Sequence, residues 1–165
     1  MSDTFIGLSE LLEKHYQQLK EFKEWAAKGE WSEFHRSHYD WWAYPIDEES
    51  GFGNKYKLGP EEISTLKEDT AFINSLREAV NLYLLSSGWD VVSSSYRPDL
   101  VTKQRYNDHP IRLWKVWRSS FIFELSDLEV EVLKFARELK SLGYTFVYAK
   151  KDRWPELHGQ ILKVL

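Results

Sequence analysis

Rings set the terms on which this chain can fold. It carries 8 Trp, 9 Tyr and 9 Phe, together 16% of its residues, and each ring that faces inward removes a large apolar area from water. Much of the core must therefore be aromatic. With 165 residues there is room for one such core and little room for a second, so the expectation is a single helical domain over residues 1–165. Apolar residues at 42% against charged residues at 29% fit a buried interior under a charged surface and argue against a disordered chain.

The same composition excludes several classes. Lys and Arg total 22 against 26 Asp and Glu, a formal net charge of −4, which disfavours a globally cationic nucleic-acid binder. There is no cysteine, so there is no disulfide framework, no thiolate metal site and no cysteine nucleophile. No apolar run reaches transmembrane length, and the N-terminal stretch MSDTFIGLSELLEK lacks the basic-then-apolar order of a secretory signal. Cytoplasmic residence without membrane association is the expectation.

Hydrophobic periodicity predicts mostly helix. Leu8, Leu12, His15, Leu19, Phe22 and Ala26 recur at steps of four and three, with Glu13, Lys14, Gln17, Gln18, Glu21 and Glu24 off the stripe and Gly29 as a stop. A second helix from about Ser32 carries Phe34 and His38 inward before Pro45. Asp47 to Gly59 reads as a surface loop, and Pro60-Glu61-Glu62 as a helix start with carboxylates at the positive end of the macrodipole. Phe72, Leu76, Ala79 and Tyr83 lie on one face of a longer helix from Thr70 to Gly88.

Trp89 to Asn107 reads as irregular, with WDVV a short strand and SSSYRPD a turn as the local options. Ile111, Trp114, Phe121 and Leu125 suit a helix opened by Pro110, although a strand competes there. Ser126 with Glu129 forms a capping signature ahead of Leu128, Val132, Phe135, Leu139 and Leu142, and Gly143 stops that helix. YTFVYA near the C-terminus suits a short strand, and a last helix follows from Trp154. The predicted fold is all-α, a bundle of five to seven helices with an aromatic-rich core.

The run His38-Tyr39-Asp40-Trp41-Trp42-Ala43-Tyr44-Pro45-Ile46 resembles the H-x-x-x-W-[LF]-[FY]-P core of the opioid growth factor receptor conserved region. The likeness continues in order. Leu58-Gly59-Pro60-Glu61-Glu62-Ile63 is similar to that family's L-x-x-x-E-[IV] helix start, and Leu84-Leu85-Ser86-Ser87-Gly88 to its L-x-x-x-G stop. His109-Pro110-Ile111-Arg112-Leu113-Trp114-Lys115 is similar to the His and LRI-x-R helix start that follow. The matches run from about His38 to Leu125. Pro110 after His109 and the charged residues from Asp47 to Ser50 depart from the pattern. The resemblance implies a helical domain and favours helix over strand after Pro110; it carries no residue roles with it.

Three groups invite a chemical reading. His35 and His38, three apart and near Asp40, have a spacing that suits two metal ligands, but no third and fourth ligand has a recognisable spacing, so no metal and no cofactor is expected. Tyr39, Trp41, Trp42 and Tyr44 crowd four rings into six residues before Pro45. Core packing accounts for most of them, yet four cannot all face one way, which makes this the first place to seek a ligand surface. Arg112, Lys115 and Arg118 repeat every three residues beside Trp114 and Trp117, a pattern for phosphate or single-stranded nucleic acid on one reading and a solvated cationic face on the other. The overall anionic balance speaks against the nucleic acid.

G-x-S-x-G, Walker, dinucleotide and H-E-x-x-H motifs are all missing. The preferred expectation is a non-enzymatic module that binds a protein or peptide through an aromatic surface near Trp41 to Pro45 and the neighbouring loop, with His38, Trp41, Trp42, Tyr44, His109 and Arg112 as candidate contacts. The alternative, from a different class, is a small-molecule or phosphate-handling enzyme with His38, Asp40, His109 and Arg112 in one cleft. Oligomeric state is left open by the sequence.

Overall fold

The computed structural model describes residues 4–98 and 102–165. Among them are eight helices and two antiparallel pairs of two-residue strands, so the architecture is all-α as the periodicity predicts. The chain divides into two compact units, Met1–Leu82 and Tyr83–Leu165.

The first unit holds α1 (Leu8–Lys28), α2 (Trp31–Arg36), α3 (Asp40–Ala43), α4 (Pro60–Lys67) and most of α5 (Thr70–Ser86). Helix α1 buries Leu11, His15, Gln18, Leu19 and Phe22 and stops at Gly29. That glycine takes φ 69°, a left-handed conformation costly to a residue with a Cβ. The buried stripe differs from the predicted one: Leu11 is part of it, while Leu8 and Ala26 are only half-buried. Leu12 is half-buried as well, and Gln18, expected among the solvated residues, is 6% exposed because it supplies the acceptor for a tryptophan N–H.

The predicted second helix is two helices. Helix α2 ends at Arg36, Ser37 is extended with ψ 151°, and α3 restarts at Asp40, which raises the helix count above the predicted five to seven. His38, predicted to point inward, lies in the break and is exposed. Tyr39 takes the inward place instead at 1% exposure, and its hydroxyl donates to the Phe34 carbonyl at 2.8 Å. Around Phe22 the rings interlock: Phe34 stacks at 4.9 Å between centroids and Tyr39 meets it edge-on at 4.7 Å. Such pairs add about 0.5–1.5 kcal/mol each beyond the area they bury. Helix α4 opens as expected, with the Glu62 carboxylate accepting the Gly59 N–H at 3.1 Å.

The second unit holds the end of α5, the hairpin β1 (Trp89–Asp90) and β2 (Ser95–Tyr96), then α6 (Pro110–Ile122), α7 (Ser126–Ser141), the hairpin β3 (Val147–Tyr148) and β4 (Lys151–Asp152), and α8 (Trp154–Val164). The stretch predicted as irregular contains a tight hairpin with Trp89 opposite Tyr96; its turn is VVSS rather than the SSSYRPD segment, of which Asp99 lies outside the described residues. The C-terminal strand is present as β3. Helix wins over strand after Pro110, but the buried face is Leu113, Trp114, Val116, Trp117 and Ile122, while Phe121 is 40% exposed. Ser126 is the first residue of α7 rather than its cap, a place taken by Leu125 with no side-chain hydrogen bond. Leu142 falls past the helix end and is exposed.

Buried indoles here need acceptors for their N–H groups, and glutamates provide them. Trp117 donates to Glu129 at 3.0 Å, Trp114 to Glu156 at 3.1 Å and Trp89 to Glu131 at 3.1 Å. Phe135 is ringed by Trp89, Tyr96 and Tyr106 at 5.3, 5.4 and 5.9 Å. At the head of the first hairpin Gly88 has φ 83°, and a Cβ built there would sit 2.7 Å from the Gln104 carbonyl oxygen. Backbone conformation and close approach both demand glycine. Replacing it, as Gly88→Ala, is expected to destabilise the protein by about 2–4 kcal/mol, read as a lower urea midpoint with an unchanged slope.

Candidate functional site

The surface around Trp42 is assembled from α1, α3 and the loop that follows. Within α3, Ala43 is buried and the next residue, Tyr44, is wholly buried, whereas Trp41 and Trp42 are half-exposed. The loop is closed at its base by the Leu58 N–H donating to the Ile46 carbonyl at 2.9 Å, and at its tip by Ser50 and Gly53 exchanging backbone bonds of 3.1 and 2.9 Å. That tip holds Phe52 out at 48% exposure.

Four rings then meet in a circuit. Phe52 stands edge-on to Trp41 at 4.8 Å and to Tyr56 at 5.6 Å, Tyr56 faces Trp42 at 5.7 Å, and the two indoles lie 5.8 Å apart. Tyr56 is buried at 6% and backs the other three, which are open to solvent in part: Trp41 and Trp42 half-exposed, Phe52 exposed. Lys55 places its ammonium 5.4 Å from the Tyr56 ring centre. On its other side Trp42 borders a groove of about 370 Å³ along α1, walled by Glu10, Glu13, Glu21 and Gln17 and crossed by Lys14, whose ammonium lies 5.0 Å from the Trp42 ring centre.

Two side chains of α1 fix Trp42. The indole N–H donates to Gln18 Oε1 at 3.0 Å. The Trp42 carbonyl lies 3.0 Å from His15 Nδ1, and His15 Nε2 lies 2.9 Å from the Ser75 hydroxyl on α5. A carbonyl can only accept, so Nδ1 carries a proton, and with the ring neutral through burial Nε2 is the acceptor for the Ser75 hydroxyl. Burial lowers the His15 pKa from 6.5 to about 4, with the backbone bonds to Trp42 and Ala43 opposing that shift more weakly.

The six sequence-predicted contacts fall in different places. Trp41 and Trp42 are in the ring circuit. Tyr44 is 0% exposed with its hydroxyl donating to the Ala79 carbonyl at 2.7 Å, so it is a core residue. His38 is exposed beside Trp41, 6.5 Å between ring centres. His109 is exposed at the start of α6 and Arg112 is buried within it. His38 and buried Asp40 belong to the first unit, His109 and Arg112 to the second, so neither unit contains the four-residue cleft. Arg112 and Lys115 are 6% and 5% exposed; the basic row of α6 therefore forms neither a phosphate-facing surface nor a solvated cationic face.

His35 sits on α2 and His38 outside it, so their spacing does not place them on one helix face. Among the described residues no group of three or more His, Asp or Glu is arranged to hold a metal, and no helix is long and apolar enough to cross a membrane. Phe52, Tyr56, Gln18 and the α1 glutamates were not singled out by sequence reasoning. The one available signal was a bulky ring between glycines in an otherwise polar loop, Gly51-Phe52-Gly53. No family model matches the chain, and neither a curated protein nor a solved structure matches it.

The His15 geometry has a definite pH signature. The folded state holds the imidazole neutral while the unfolded chain protonates near pH 6.5, so this contribution is complete above that pH and is lost as pH falls toward about 4. By pH 5 the loss reaches about 2 kcal/mol. His15→Gln is expected to be less stable at pH 7.5 but to lose less on acidification. Urea titrations of both proteins at pH 7.5 and 5 check this; parallel losses would mean that His15 titrates normally.

Proposed function

We propose that the chain is a cytoplasmic, non-enzymatic module that binds a protein or peptide through the surface of Trp41, Trp42 and Phe52, backed by buried Tyr56, and the groove beside it. The observation that carries the reading is Phe52: a large apolar ring held nearly half exposed by a closed turn and packed edge-on to a half-exposed indole. A fold that only needed this loop closed has no use for a ring at its tip, whereas rigid aromatic side chains of low conformational entropy are the usual anchors of contact surfaces. The groove next to it falls in the size range of ligand clefts. The likeness of His38 to Leu125 to the opioid growth factor receptor conserved region belongs to the same proposal, as a relationship of fold.

Selection from a displayed random-peptide library tests it. Enriched peptides are expected to lose at least tenfold in affinity to Phe52→Ala, a change costing about 1 kcal/mol of stability or less. Tyr44→Ala, by contrast, is expected to destabilise by about 3–5 kcal/mol, as a core ring does. Failure to enrich any peptide, or enrichment indifferent to Phe52, would overturn the reading.

A further inference from the structure

We infer that the groove on α1 takes an extended, arginine-bearing peptide segment, an inference that rests on the peptide-binding reading and specifies the partner. Its acidic wall is a single helical stripe. Glu10, Glu13, Gln17 and Glu21 follow one another at steps of three, four and four along α1, the spacing that keeps side chains on one face. The stripe spans about 16 Å of helix rise, a length covered by about five residues of extended chain. Three carboxylates face one ammonium in this groove, and among the described residues none of the three forms an ion pair.

Charge alone would suit any cation, and two further features narrow the class. Trp42 turns its ring toward the groove and already attracts the Lys14 ammonium at 5.0 Å. That contact is an internal stand-in for a ligand cation, and a planar guanidinium stacks on an indole and forks to a carboxylate better than an ammonium does. The second feature is Gln18, 6% exposed and lining the groove. Its Oε1 is committed to the Trp42 N–H, which directs the amide nitrogen elsewhere, and Nε2 has no hydrogen-bond partner among the described residues. A buried N–H donor left in this state wants an acceptor. A metal ion or a polyamine has none to offer, whereas a peptide brings a backbone carbonyl together with its cationic side chains.

The test uses the full chain and a capped RARAR peptide, with capped QAQAQ and EAEAE peptides and spermidine as controls, followed by amide and indole NMR. RARAR is expected to shift the Trp42 indole and Gln18 carboxamide signals saturably, with an affinity that falls as salt rises. The double variant Glu13→Gln/Glu21→Gln is expected to weaken it about tenfold. Absence of those shifts, shifts that survive the double variant, or spermidine binding as tightly as RARAR would each overturn the inference. Should library selection return acidic or neutral peptides that depend on Phe52, the basic occupant is wrong while the peptide-binding module stands.

Discussion

A single neutral imidazole holds the first unit in register. His15 on α1 donates to the Trp42 carbonyl on α3 and accepts from Ser75 on α5, so three helices share one side chain whose two nitrogens have opposite roles. A charged imidazole has two donors and no acceptor; protonation would turn the Ser75 hydroxyl from donor to acceptor and place a charge where burial disfavours it. One turn further along α1, Gln18 accepts the Trp42 indole N–H. Backbone and ring of Trp42 are therefore fixed from the same helix, and through Trp42 the open edge of the aromatic circuit is fixed as well.

Many of the rings' buried polar tips find acceptors, although the Tyr106 hydroxyl has no hydrogen-bond partner among the described residues. In the first unit tyrosine hydroxyls donate to backbone carbonyls, Tyr39 to Phe34 and Tyr44 to Ala79. In the second, indole N–H groups donate to carboxylates, and Glu129 is itself buried at 8% exposure while also accepting from Gln160 at 3.1 Å. Charged side chains are drawn into the interior by what the rings require of them. The same demand accounts for Gln18, the residue whose burial defeats a simple polar-outside reading of α1.

Periodicity made the long helices legible, because α1, α5 and α7 each repeat apolar residues over three or more turns. It failed where a few residues decide. The break at Ser37 that separates α2 from α3 has no proline or glycine to announce it, and it moves His38 outward and Tyr39 inward. On α6 both readings lose their phase, with Phe121 of the apolar face outside and Arg112 of the basic row inside, because a nearly all-buried helix has no polar face to set it. Of the candidate site, the two indoles were legible as a crowded ring cluster. Their partners Phe52 and Tyr56 and the α1 stripe come from separate stretches of chain, joined only by tertiary contact.

Shape and chemistry at this surface follow from the tie beneath it. The Trp42 indole is positioned by bonds from His15 and Gln18, while the Ser50–Gly53 turn holds Phe52, and the imidazole at that tie is neutral. Long-range proton–nitrogen NMR of the imidazole rings reads that directly. The expected result at pH 6 is a His15 ring protonated at Nδ1 alone, unchanged down to pH 5. A His15 ring that becomes doubly protonated with a midpoint near 6.5, or that carries its proton on Nε2, would contradict the account.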